Sequence, residues 1–143
     1  MRQIEQIEHR LSVRRTAGGI TIIDDAYNSN PTGAKMALEV LRNFRRMEGG
    51  RRIVVTPGFV ELGERQAELN RELGREIASA CDIAIVVNKT NREAISSGIL
   101  GQEFNKNTLI EVDSFADASA RLASMMRAGD VILYENDLPD SFK

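Results

Sequence analysis

One histidine, one cysteine and no tryptophan sharply limit what this chain can do alone. His9 is the sole imidazole, so no Ser-His-Asp set is plausible and a Cys/His zinc site is excluded. The lone Cys81 excludes an internal disulfide. It abuts the apolar run from Asp82 to Val87, where a thiol reads as structural rather than nucleophilic. No apolar stretch reaches the roughly 18 residues a membrane-crossing helix needs. Met1 to Glu8 is polar and lacks a signal-peptide apolar core, so a cytoplasmic protein is expected. Neither a G-x-x-x-x-G-K-[ST] phosphate loop nor a G-x-G-x-x-G turn occurs. The formal net charge of -2 predicts no partner of nucleic acid or anionic membrane. Arg42, Arg45, Arg46, Arg51 and Arg52 do cluster, and they read as a solvated helix end and loop.

What is present is a regular alternation. Five short β-branched runs, Ile20 to Ile23, Ile53 to Thr56, Ile83 to Val87, Leu109 to Val112 and Val131 to Tyr134, are apolar on both faces. Strands of that kind are covered on both sides, as in a parallel sheet. Helical patterns separate them. Ala34, Ala37, Leu38, Leu41 and Phe44 recur after Pro31, with Asn30 able to cap. Leu69, Leu73 and Ile77 form a second stripe, Thr90 with Glu93 a capping-box pattern for a third helix, and Ser114 opens a fourth. His9 to Gly19 reads as an edge hairpin into the first core strand, and residues 1–8 as a linker or tail. The expected fold is a single Rossmann-like, doubly wound, mostly parallel sheet of about six strands with helices on both faces, over residues 9–143.

Ligands of such sheets bind beyond the carboxyl ends of the strands. Those ends carry Asp24-Asp25-Ala26-Tyr27-Asn28, Pro57-Gly58, Asn88-Lys89, Asp113-Ser114 and Glu135-Asn136-Asp137. The first group is the most unusual, with two carboxylates, an aromatic and an amide after an apolar strand. Turn propensity alone also accounts for those residue types, and both readings stay open at this point.

The octapeptide Asp24-Asp25-Ala26-Tyr27-Asn28-Ser29-Asn30-Pro31 resembles the signature that opens the C-terminal domain of Mur-type ATP-dependent amide ligases, closest to the D-alanyl-D-alanine-adding branch. Ile7-Glu8-His9-Arg10-Leu11, the stretch from Val55 to Gly63 with Glu61-Leu62-Gly63, and Gly129-Asp130-Val131-Ile132-Leu133 resemble further segments of that domain, in the same order.

The resemblance implies one domain of a three-domain carboxylate–amine ligase of peptidoglycan precursor synthesis, inactive in isolation. A central domain would carry the phosphate loop and most of the Mg2+ ligands, and another the UDP-muramoyl-peptide. The domain resembled here would close over ATP and present an amino acid or dipeptide. Arg10 would then reach ATP, Asp24 (or Asp25 in its place) the ribose hydroxyls, and Tyr27 and Asn28 the adenine and ribose. Asn30, Glu61, Glu135, Asn136 and Asp137 would lie on the substrate side. Three departures stand out: His9 for a glycine, Asn70 for a histidine, and Glu135-Asn136-Asp137 for the family's lysine-glycine-serine. The chain also stops at Lys143, short of the family's last helix. The third departure reverses local charge and keeps open a related ligase with another acceptor, of folylpolyglutamate or poly-glutamate type. A stand-alone binding module is the remaining alternative, since the fold alone permits many functions.

Overall fold

The computed structural model describes residues 12–16, 18–25, 31–44, 50–58, 63–87, 91–102 and 104–135. Among the described residues there are six strands, β1 (Ser12–Arg15), β2 (Thr21–Asp25), β3 (Arg52–Thr56), β4 (Ile83–Val87), β5 (Leu109–Val112) and β6 (Val131–Glu135). Four helices alternate with them: α1 (Pro31–Asn43), α2 (Gln66–Ala80), α3 (Arg92–Leu100) and α4 (Phe115–Met125). The sheet order is β1-β2-β6-β3-β4-β5. All pairings are parallel except β1 with β2, the expected edge hairpin.

Each face of the sheet has its own core. On one side Ile23, Val54, Ala84, Val86, Val131 and Leu133 pack with Ala34, Leu38, Leu41, Leu73, Ile77, Ile95 and Ile99, so α1, α2 and α3 cover that face. On the other, Ile53, Val55, Ile85, Ile110, Val112 and Ile132 pack with Phe115, Ala118 and Leu122 of α4. The crossovers through α1, α2 and α3 run one way across the sheet, and the return through α4 runs back. A single handedness for all of them places α4 on the opposite face. Central strands feeding both cores have no polar side, which is why their sequences read as unbroken apolar runs.

The helix starts differ in detail from the sequence pattern. Ser114 caps α4 as expected, its hydroxyl accepting the Asp117 N–H at 3.1 Å. At α3 the residue before the helix is Asn91, whose side chain makes no cap bond, and Thr90 of the expected capping box lies outside the described residues. Helices α2 and α3 approach closely enough that a Cβ on Gly74 would meet the Ile95 carbonyl at 2.2 Å and one on Gly98 the Arg71 carbonyl at 2.0 Å. Only glycine permits that contact.

The arginine cluster is corrected by the structure. Of its described members, Arg51 and Arg52 are part-buried and bonded into the fold, and Arg42 makes contacts at the surface. Arg52 donates to the Leu41 and Phe44 carbonyls and so caps the end of α1, at 2.9 and 3.0 Å. Arg42 bonds Glu39 on its own helix and Ser79 of α2. Arg51 reaches the fully buried Asp130, donating from Nε at 3.1 Å and Nη2 at 2.7 Å, and also caps α4 through the Met125 carbonyl at 2.7 Å. Asp130 further accepts the backbone N–H groups of Arg51 and Arg127. Arg45 and Arg46 lie outside the described residues.

Burial alone would raise the pKa of the Asp130 carboxyl. The hydrogen bonds from Arg51 and from the Arg127 and Arg51 amides, with the Arg51 charge, outweigh it and hold the group below the usual carboxylate range. The lowered folded-state pKa means the stabilisation is present above about pH 4, the unfolded value, and is lost as pH falls through the folded value. Asp130→Asn should therefore cost about 3 kcal/mol at pH 7, where it leaves Arg51 with a half-satisfied site. Urea unfolding at pH 7 and near pH 3 checks this: the gap to the parent chain narrows in acid, whereas a gap independent of pH would contradict the assignment.

Candidate functional site

Because β2, β6, β3, β4 and β5 are parallel, their carboxyl ends form one rim. In sheet order that rim runs from Asp25 through Glu135, Thr56 and Val87 to Val112. The register sets Asp24 opposite Tyr134 and Asp25 opposite Glu135. Ser12 pairs with Asp24 from the other side. The structure thus brings the Asp24-Asp25 segment and Glu135 together, although they are more than a hundred residues apart in sequence. Asp24, Asp25 and Glu135 are described as backbone. Arg10, Tyr27, Asn28, Asn30, Glu61, Asn136 and Asp137 lie outside the described residues, as do Asn88 and Lys89.

The middle of the rim holds a polar network that the sequence did not single out. Strand β3 ends in the turn Pro57-Gly58, where the Gly58 N–H donates to Thr56 Oγ1 at 3.0 Å. Gly58 has φ +83°, and a Cβ there would lie 2.6 Å from Asn70 Oδ1 and 2.7 Å from Ile95 Cδ1. Asn70 is fully buried and donates to the Gln66 carbonyl at 2.8 Å. The Gln66 amide donates to Asn91 Oδ1 at 2.9 Å, and Asn91 donates to the Pro57 carbonyl at 3.1 Å. These amides fix the turn after β3 against the starts of α2 and α3. Asn70, which stands where the resembled family has a histidine, is a packed neighbour of Gly58. Asn91 and Gln66 sit in polar helical sequence, which carries no signal of burial.

At the far end of the rim the chain leaves β4 toward one face and β5 toward the other. A polar cleft lies there, lined by Arg92, Glu111, Val112, Asp113, Asp117, Ala120 and Arg121. Arg92 donates to the Val112 carbonyl and to Asp113, both at 2.8 Å, and Ser96 to Glu111 at 2.6 Å. These contacts brace the edge strand. Cys81 is buried, and burial together with the neighbouring Asp82 charge pushes its thiol far above the ordinary range, so it is the inert structural thiol expected. Among the described residues no group of three or more His, Cys, Asp or Glu converges on a metal position, and no helix is long and apolar enough to cross a membrane.

A doubly wound, mostly parallel sheet defines the class: an α/β domain whose ligand side, by topology, is the carboxyl rim of its strands. The chain belongs to the Mur ligase family, matching the "Mur ligase, glutamate ligase domain" over residues 9–134. It is 28% identical over 128 residues to UDP-N-acetylmuramoyl-tripeptide--D-alanyl-D-alanine ligase of Bacillus subtilis, covering 88% of this chain and 27% of that protein. It is 30% identical over 132 residues to UDP-N-acetylmuramate--L-alanine ligase of Mycolicibacterium smegmatis, covering 90% and 27%. Among solved structures it resembles the MurF ligase of Thermotoga maritima in complex with ADP, with a TM-score of 0.71 and 28% identity over 90% of this chain and 27% of that one. The chain thus spans about a quarter of the length of these relatives.

Gly58→Ala should destabilise the domain by about 3 kcal/mol, combining a left-handed backbone with overpacking against Asn70 and Ile95. A thermal midpoint unchanged from the parent chain would show that the turn has room the structure denies it.

Proposed function

We propose that this chain is the C-terminal domain of an ATP-dependent carboxylate–amine ligase of peptidoglycan precursor synthesis, and that it acts by closing over the nucleotide. The observation that carries this reading is the family match over residues 9–134, whose acidic Asp24-Asp25 segment falls on the ligand rim of the sheet. The ADP complex of the Thermotoga maritima relative supports a nucleotide ligand. The domain boundary at residue 9, with residues 1–8 as a linker, follows the same reading.

The residue roles are assigned as follows. Carboxylates at Asp24 or Asp25 accept hydrogen bonds from ribose hydroxyls, Tyr27 and Asn28 border the adenine and ribose, and Arg10 offers a permanently charged planar fork to the phosphates or ribose. The nucleotide supplies the activation of the carboxylate that the amine then attacks. This chain's own part is to bind, to orient and, on closure, to exclude water from the reacting groups. The sequence carries no G-x-x-x-x-G-K-[ST] loop, and the phosphate cradle, Mg2+ and the UDP-muramoyl-peptide are assigned to the other domains of the parent ligase. A cytoplasmic location follows from those substrates.

A second reading concerns the acceptor. Asn30, Glu61, Glu135, Asn136 and Asp137 are assigned to its side of the site. Asp25 and Glu135 are register partners, so two acidic residues stand side by side on adjacent strand ends. That arrangement disfavours an anionic terminus nearby. It favours a related Mur-like ligase whose acceptor is not D-alanyl-D-alanine and presents less negative charge at this point of the rim.

In the full ligase, Asp24→Ala should raise the KM for ATP by about tenfold, the worth of a lost charge-assisted hydrogen bond. Steady-state turnover with varied ATP, across a panel of amino acids and dipeptides, measures it. Unchanged ATP kinetics would remove the ribose assignment, and robust turnover with D-alanyl-D-alanine would remove the second reading.

A further inference from the structure

Asn91 does something unusual for an asparagine at the start of a helix. Its side chain makes no cap bond to α3, the use that position favours. It is nearly buried, and both ends of its amide are spent on other parts of the chain: the nitrogen on the Pro57 carbonyl, the oxygen on the Gln66 amide. Pro57-Gly58 precedes residues 59–62, and Gly63 to Gln66 follows them. One side chain therefore ties the residues on both sides of that segment, and it does so from the residue that ends the connection after β4.

The surroundings keep this arrangement fixed. Gly58 leaves no room for a side chain between Asn70, Ile95 and Asn91. Asn70, fully buried, bonds back to the Gln66 carbonyl and so holds the first turn of α2 that presents the Gln66 amide. Buried amide networks of this kind are rigid because any broken link strands a desolvated polar group.

We infer that Asn91 is a positioning residue: it couples the turn Pro57-Gly58 after β3 to the starts of α2 and α3, so that these pieces of the rim move as one body when the domain closes. The functional half of this inference rests on the proposed ligase role; the coupling itself does not.

Amide hydrogen exchange on the full chain tests the coupling. Asn91→Ala should speed exchange at Gly58 and at Gly63 to Gln66 together, by about tenfold. Gln66→Ala should speed only the second group. Asn91→Asp keeps an acceptor for Gln66 and loses the donor to Pro57, so it should speed only Gly58. Amides of β6 and α4 stay unchanged in all three. Exchange that rises only beside residue 91, or uniformly through the domain, would overturn the coupling. Should Asn91→Ala fail to fold, the contrast between Asn91→Asp and Gln66→Ala decides the matter. In the full ligase, Asn91→Ala should lower kcat about tenfold with little change in the KM for ATP. Normal kcat with the expected exchange pattern would overturn the positioning role alone and leave the family assignment standing.

Discussion

Every strand but the first runs the same way, and that single constraint organises the molecule. Parallel strands cannot be joined by tight turns, so each connection must cross back over a face as a helix. All five carboxyl ends then emerge on one rim, and all five amino ends on the other. The two rims have been put to different uses. Arginines and a buried carboxylate close the amino end: Asp130 gathers Arg51 and the Arg127 amide, and Arg52 caps α1. The carboxyl end carries the acidic termini of β2 and β6 and the amide network around Asn91.

This division explains how the domain can be both firm and responsive. The charges at the amino end are satisfied within the fold and hold β3, β6 and α4 together. Under the proposed function the opposite rim supplies the contacts to the sugar and the neighbouring acceptor, on strand ends that the sheet keeps in register. A lid-type domain needs both properties, a stiff body and a rim that meets its ligand only on closure. The curated relatives are about four times as long as this chain, and under the proposed function the substrate-facing chemistry is divided with the remainder of such a ligase.

Much of this was legible in the residues. The β-branched runs located the core strands to within two residues, because strands buried on both faces cannot hide their composition. The edge hairpin and the Ser114 cap followed from local chemistry. The strand order was not legible: nothing in the sequence says that β6 inserts between β2 and β3, which is what sets Glu135 beside Asp25. The role of Arg51 was not legible for a related reason. Its partner Asp130 lies 79 residues from Arg51, and a charge pair at that separation leaves no periodic trace. The amide network was missed because Gln66, Asn70 and Asn91 resemble solvated surface until α2 and α3 are packed.

The central claim is that the carboxyl rim at β2 and β6 meets a nucleotide. Titrating the isotopically labelled chain with ADP to millimolar concentration, followed by amide chemical shifts, tests it directly, since weak binding by a single domain still moves resonances. The account predicts shifts concentrated at the ends of β2 and β6 and at Gly58. Shifts centred on the amino-end rim, around Arg51 and Gly129 to Val131, would contradict it.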